Sequence, residues 1–534
     1  MKYLIFSIAL LLSANAAAQS SLIKDINVGA NSAFEQYIYE FAGFGNAIYF
    51  VAKDATFGFE LWKSDGTSAE TVRVKDINAG AADSKPRSLV VANNKLFFTA
   101  QTAAEGRELW VTDGTEVGTK IVKNIRAGAS SGITSEEDKL IAYNNAVYFT
   151  ADNGTLGGEL WKSDGTDAGT VLVKDLDVGA GSAYIASMVV FQNKLFFFAD
   201  SQMYSTDGTA AGTVKIKSFS TYPSFYSGAA CAYNNKLYLS IGYTGYYSSE
   251  PWVSDGTDAG TKQLKDITAG APNGSAPENF YGFKNHVYFD SEFFWRTDGT
   301  EAGTTQFLPY SVRLYQRETL TFVNDGNKMY FAAQSQTGGF SKDIWVTDGT
   351  TAGTKVIKFI NSDLFGSKPD WLTLANGKCY FSAENSAFGR ELWVSDGTTL
   401  GTKLASDIVV GGSGNPENTI FWKGNLYFVA TTAANGKELW KYVVPTATAD
   451  LVATKDLFRL AQNPVNQLIA IELGPTENQN FTLTNAVGQV VATHKIEGNS
   501  GSWRLNTSAL PSGLYLLKSE TNAAYQVEKI VIQH

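Results

Sequence analysis

The sequence predicts an all-β protein: a large closed β-propeller of nine four-stranded blades, with eight as the alternative count, followed by a small Ig-like β-sandwich. Three observations carry this expectation. The tripeptide Asp-Gly-Thr recurs at Asp65, Asp113, Asp164, Asp207, Asp255, Asp298, Asp348 and Asp396, in steps of 43 to 51 residues, a period typical of propellers and similar arrays. Each copy sits in a unit of four short β-branched and aromatic runs separated by turn residues. The chain also holds 25 Tyr, 33 Phe and 11 Trp, a composition that favours strands.

In chain order, residues 1–18 read as a signal peptide. Lys2 precedes an apolar run from Tyr3 to Leu12, and Ala16-Ala17-Ala18 offers a cleavage site before Gln19. An apolar run of about ten residues is too short for the roughly 30 Å hydrocarbon layer of a bilayer. No cysteine follows the cleavage site, which argues against lipoprotein processing. A formal charge of −9 with scattered Lys and Arg speaks against a nucleic-acid or anionic-membrane partner.

Residues 19–443 are the repeat region. The unit beginning at Ser88 shows the plan: "SLVVA" is strand A, "KLFFTA" strand B, "ELWVT" strand C and "TKIVKNI" strand D. Asn93-Asn94, Asn144-Asn145, Asn234-Asn235 and Asn376-Gly377 join A to B, and these residues tolerate the positive φ of two-residue hairpin turns. Nine B strands are marked by Tyr49, Phe97, Tyr148, Phe196, Tyr238, Tyr288, Tyr330, Tyr380 and Tyr427. The ends complement each other. "SLIKDIN" from Ser21 is a D strand without A, B or C before it, while the last unit has A, B and C without D. The N-terminal strand is therefore expected to complete the last blade.

Asp-Gly-Thr-x-x-Gly-Thr joins C to D. The Asp carboxylate can accept backbone N–H bonds, Gly takes the strained φ, and Thr hydroxyls close the loop. The eight Asp residues are accordingly expected to hold hairpins. A calcium loop is the competing reading, but each turn offers one regular carboxylate where calcium wants six to eight oxygens. In strand C, Trp or Tyr recurs from Trp62 to Trp440 and is expected to pack between blades. An acid two residues before it is kept in seven units and lost at Gln202 and Phe293. With Lys75, Lys123, Lys174, Lys217 and Lys265 in strand D, a repeated Glu–Lys contact between C and D is expected.

These motifs and their spacing resemble the bacterial ELWxxDGT repeat family over roughly Ser21 to Tyr442, a resemblance that implies no firm activity. Two cysteines, Cys231 and Cys379, lie on apolar strand-like runs and are read as unpaired. With three dispersed histidines, no catalytic triad or zinc set can be assembled, so no catalytic residue, metal or cofactor is expected. The face carrying the B–C and D–A loops holds two aromatic-rich segments, with Tyr222, Phe225 and Tyr226 in one and Tyr243, Tyr246 and Tyr247 in the other. They are candidate contacts for a glycan or a surface protein.

Residues 444–455 read as a linker and 456–534 as a small β-sandwich. The tail resembles the type A C-terminal sorting domain of type IX secretion substrates in the Bacteroidota. The matching residues are Asn463 and Pro464, Gly488 in the central hairpin, Gly513 and Tyr515 in "SGLYLLK", and Lys529 near the end. Ala461-Gln462 stands where the family usually has Tyr-Pro, and Asn485-Ala486-Val487 where it often has an Asp before the hairpin Gly. The resemblance implies Sec export, then recognition by the outer-membrane translocon and its barrel carrier, and delivery to the cell surface or medium. Most acids are repeat positions, so a non-enzymatic adhesion, binding or scaffold protein, monomeric, is the expectation. A propeller glycoside hydrolase or lyase acting on extracellular polysaccharide is the alternative.

Overall fold

The computed structural model describes residues 20–35, 40–133, 139–219, 230–242, 249–269, 274–291, 293–308, 312–313, 322–335, 341–445, 452–453, 458–460, 465, 467–473, 479–485, 489–496, 502–520 and 524–534. The predicted signal peptide, residues 1–18, lies outside them. The chain divides into two compact units, Met1–Val444 and Pro445–His534. Among the described residues all regular structure is strand, as the aromatic and β-branched runs predict.

The first unit contains nine antiparallel sheets among the described residues. In the second sheet, Arg87–Ala92, Lys95–Thr102, Gly106–Thr112 and Lys120–Lys123 take the A, B, C and D places and pair in that order. Asn93 and Asn94, at φ 46° and 54°, make the A–B turn that the sequence signals. Eight sheets have four strands. In the seventh, the A place is split between Val312–Arg313 and Val323–Asn324, both paired with Met329–Ser335.

The ends of the unit meet in one sheet. Ser20–Lys24 pairs antiparallel with Gly436–Val443, which pairs with Asn425–Thr432 and then with Glu417–Trp422. That last-numbered sheet also packs on the first. Trp62 from the first sheet shares a buried cluster with Ile23, Tyr427, Val429 and Leu439, and a Cβ at Gly43 would lie 2.3 Å from the Trp422 ring. Trp110 in turn packs against Tyr49, Leu61 and Val74 of the preceding sheet. Strand-C tryptophans thus fill the space between neighbouring sheets. Cys231 and Cys379 are both free thiols.

The strand-A edges share an irregularity. Register shifts interrupt A–B pairing at Arg87/Val90, Ala186/Val189, Glu278/Tyr281, Asp370/Thr373 and Glu417/Ile420. Each bulge carries a non-glycine residue in the left-handed region: Ser88, Ser187, Asn279, Trp371 and Asn418. Bulges of this kind bend an edge strand and re-aim its side chains.

The second unit has two sheets among the described residues. Val452–Ala453, Ala524–Ile532, Gly513–Glu520, Gln479–Asn485 and Val490–Ile496 form one, and Phe458–Leu460, Leu468–Leu473 and Ser502–Asn506 form the other. One core, including Ile469, Ile471, Phe481, Tyr515, Leu517 and Ile530, lies between them. The segment expected as a linker, 444–455, includes two residues that take part in a sheet. Val452–Ala453 pairs in parallel with Ala524–Tyr525, so backbone hydrogen bonding draws these residues into the tail's own sheet.

Candidate functional site

The Asp-Gly-Thr turns share one geometry. In all eight, the Asp Oδ1 accepts the N–H of the following Thr at 2.8–2.9 Å. The same oxygen accepts that Thr's hydroxyl at 2.7–2.8 Å. The Gly between them has φ of +86° to +95°, a conformation that strains any residue with a Cβ. The second Gly serves a different need: a Cβ at Gly118 would come within 2.0 Å of Asp113 Oδ1. These donors hold the carboxyls of Asp65 and Asp113 below the ordinary range, the Thr hydroxyl contributing most. Among the described residues no group of three or more His, Cys, Asp or Glu is placed to hold a metal ion.

The expected Glu–Lys contact between strands C and D is not formed among the described residues. Glu60, fully buried, accepts the N–H of Ile77 at 2.9 Å and the Ser84 hydroxyl at 2.7 Å through Oε2. Glu391 likewise takes Ile408 N at 2.7 Å and Gly414 N at 2.7 Å. The strand-D lysines reach the other way, to the next sheet's C–D turn. Lys75 donates to Thr119 O at 3.0 Å, Lys174 to Thr213 O at 2.8 Å and Lys358 to Thr402 O at 2.8 Å. The physical reason lies in the D–A loop, whose clustered N–H groups would be orphaned without a buried acceptor. The carboxylate therefore goes to backbone donors, and the lysine to a carbonyl of the neighbouring sheet's turn. Burial pushes the carboxyls of Glu60, Glu108, Glu159 and Glu391 up to about 7, and that of Glu438 to about 8, against the pull of these hydrogen bonds.

The loop face is less regular. All six aromatic candidates, Tyr222, Phe225, Tyr226, Tyr243, Tyr246 and Tyr247, lie outside the described residues. The structure brings forward a pair that sequence reading missed. Glu278, at the start of its sheet's strand A, stands directly across from Asp290 in strand B. Burial, and then the Glu278 carboxylate, push Asp290 up to about 7, and its Oδ1 is buried with no hydrogen-bond partner among the described residues. At the matching place in other sheets stand Thr99 and Ser382, bonded by Arg107 Nη1 at 3.1 Å and Arg390 Nη1 at 3.4 Å. Asp290 is an acid at a place where the other sheets put an apolar or hydroxyl residue, such as Phe198, Val429, Thr99 and Ser382, and that departure is the signal the sequence carried.

The sorting-domain residues divide. Asn463, Pro464 and Gly488 lie outside the described residues. Gly513 opens the central strand of the larger tail sheet, opposite Ile532. Tyr515 is buried in the tail core, and its hydroxyl donates to Pro511 O at 2.8 Å. Lys529 is exposed on the adjacent strand, paired in register with Leu516.

Residues 463–533 match the family model of the secretion system C-terminal sorting domain. No curated protein matches the chain. Among solved structures, a puromycin hydrolase is 12% identical over 71% of this chain and 61% of its own, with a TM-score of 0.32. The extracellular domain of a putative one component system from B. thetaiotaomicron is 11% identical over 95% of this chain and 76% of its own, with a TM-score of 0.29. A eukaryotic initiation factor is 10% identical over 81% of this chain and 100% of its own, with a TM-score of 0.41. The chain spans about three-fifths of the length of the puromycin hydrolases it matches.

Proposed function

We propose that this chain is a substrate of the type IX secretion system and that its repeat region acts as a non-enzymatic binding, adhesion or scaffold protein at the cell surface or in the medium. The observation that carries the route is the match of residues 463–533 to a C-terminal sorting domain. On this reading the leader directs Sec export, and the tail is then recognised by the outer-membrane translocon and its barrel carrier. The repeat region is read as a nine-bladed closed propeller of the ELWxxDGT type. The pairing of Ser20–Lys24 with Gly436–Val443 supports closure. Seven of the regular acids bind loop backbone or the neighbouring hydroxyls and not a cleft, which supports a framework role for them. The test is localisation in a host with the type IX system. The full chain should reach the surface or medium, and the chain ending at residue 455 should stay in the periplasm.

A second reading, a glycoside hydrolase or lyase, is favoured by one observation: the Glu278–Asp290 pair, in which an acid pushed up to about 7 faces a second carboxyl. Paired carboxyls whose environments set their protonation apart are the usual equipment for acid–base work on glycosidic bonds. Reducing-end release from a panel of polysaccharides, abolished by Asp290→Asn with the melting temperature kept, would establish it. No release from any of them leaves the binding role.

A further inference from the structure

We propose that a cavity at the junction of the last and first sheets binds a neutral sugar unit of a glycan; this deepens the binding role proposed above and rests on it. The cavity measures about 400 Å³ and is lined by Asn31, Ser32, Phe34, Glu35, Lys53 and Lys437, with Asn27 behind them. That volume lies in the range of sites for small ligands.

The repeat explains the walls, and the departures from it explain the opening. The loop after Lys24 follows the common plan: Gly29 N donates to Asp25 Oδ2 at 3.1 Å, and Glu438 accepts from Ile26 and Asn27. Asn27 Nδ2 donates to Ser32 O at 3.0 Å and fixes the turn. The next loop places Lys85 where this one places Phe34, and Gln101 stands where the first sheet has Lys53. Gln101 is spent on the loop, donating to Asp83 O at 3.2 Å. Lys53 makes no ion pair among the described residues, and its Nζ sits 4.6 Å over the Phe59 ring. Phe34, stacked on Phe50 at 5.6 Å, gives the cavity an apolar floor.

Charge decides the ligand class. Lys437 is neutralised by Glu417, with Nζ–O distances of 3.1 and 3.3 Å. Lys53 and Glu35 remain, one of each sign. An anion would call for donors alone and a cation for acceptors alone. This wall presents both: donors from Asn31 and Lys53, acceptors from Glu35 and Asn31, and the Ser32 hydroxyl, whose oxygen accepts Lys437 N–H at 3.1 Å and whose proton is left to donate. Hydroxyl groups, which donate and accept at once, match such a set.

Binding of the full chain to neutral oligosaccharides of glucose, galactose and N-acetylglucosamine, to galacturonate oligomers and to inorganic phosphate tests this, read by glycan array and calorimetry. A neutral oligosaccharide should bind with an affinity that changes little on raising salt. Glu35→Gln and Lys53→Met should each weaken it about tenfold or more, with the melt unchanged. Lys53→Gln, which copies the residue of the second sheet, guards against a variant that fails to fold. Preference for galacturonate or phosphate would overturn the proposal. So would neutral-sugar binding indifferent to all three variants, although glycan binding as such would then stand. Adhesion to cells or surface proteins with no sugar bound would overturn it too, and leave the wider binding role intact.

Discussion

Glu438 and Ile26 stand 412 positions apart, yet Glu438 Oε2 accepts the Ile26 N–H at 3.0 Å inside a buried site. The contact repeats between the two ends of the repeat region what Glu60 and Ile77 do within 17 positions. The N-terminal strand thus fills the D place of the last sheet in pairing, in its loop and in its lysine. Lys24 donates to Thr71 O at 2.8 Å, as Lys75 does to Thr119.

Deleting residues 20–28 should therefore remove a strand, a carboxylate's donors and a lysine latch together. It exposes the Gly436–Val443 edge, and an exposed edge invites aggregation. Thermal melts of the deletion are expected to show a large loss of stability or irreversible association. An unchanged melt would show that the strand adds nothing to the fold.

The buried acids predict a pH slope. Five carboxyls sit at about 7 to 8 in the folded chain against 4.5 when unfolded. Between those values the folded state binds more protons, so stability falls as pH rises, by up to about 1.4 kcal/mol per pH unit for each group. The contribution is fully present below pH 4.5 and is lost as pH passes the folded values. Melts should be higher at pH 5 than at pH 8, and Glu391→Gln should reduce the slope. A profile that is flat or rises toward pH 8 would mean that the backbone N–H bonds outweigh burial and these acids stay ionised.

The turns make a sharper test, because the first one departs from the plan. Glu70 stands where the other turns have Gly, and its N–H reaches the Thr67 hydroxyl at 3.2 Å, against 2.9 Å for Gly118 and Thr115. Gly169→Ala, with its Cβ built 2.1 Å from Asp164 Oδ1, must shift the carboxylate or the loop backbone; the first turn keeps its Asp65–Thr67 bonds with Glu70 at that place, so the cost should be about 1 kcal/mol. Glu70→Gly should be close to neutral or stabilising. Asp113→Asn should cost little and Asp113→Ala about 1–2 kcal/mol. Denaturant titrations rank the four, and a chelator that shifts the melt by many degrees would bring metal back into the turns.

What the sequence revealed and what it hid divide along one physical line. The hairpins at Asn93-Asn94 and Asp113-Gly114-Thr115 are local, so residue type and spacing are enough to read them. Glu60 misleads because, Ser84 apart, its partners are backbone N–H groups 17 and 18 positions on, which leave no side-chain signature. Lys75 misleads because its partner belongs to the next sheet. Glu278 and Asp290 are brought together by cross-strand register after a bulge, and a one-residue shift in that bulge would separate them.

The tail offers the last prediction, since its core can be damaged by degrees. Tyr515 is buried among Ile469, Phe481, Leu517 and Ile530, and its hydroxyl donates to Pro511 O. Tyr515→Phe keeps the ring and should cost about 0.5–1.5 kcal/mol, leaving export intact. Tyr515→Asp buries a charge that has no partner in an apolar core and should unfold the tail. Because the repeat region is a separate compact unit, it should remain folded and accumulate in the periplasm, protease-resistant there and absent from the surface. Lys529→Ala, on the exposed side of the neighbouring strand, should leave the melt of the tail unchanged. If it nonetheless blocks export, the translocon reads that outer face directly. Normal display of the Tyr515→Asp chain would separate the tail's fold from secretion, and the route outward would then have to be carried by the repeat region itself.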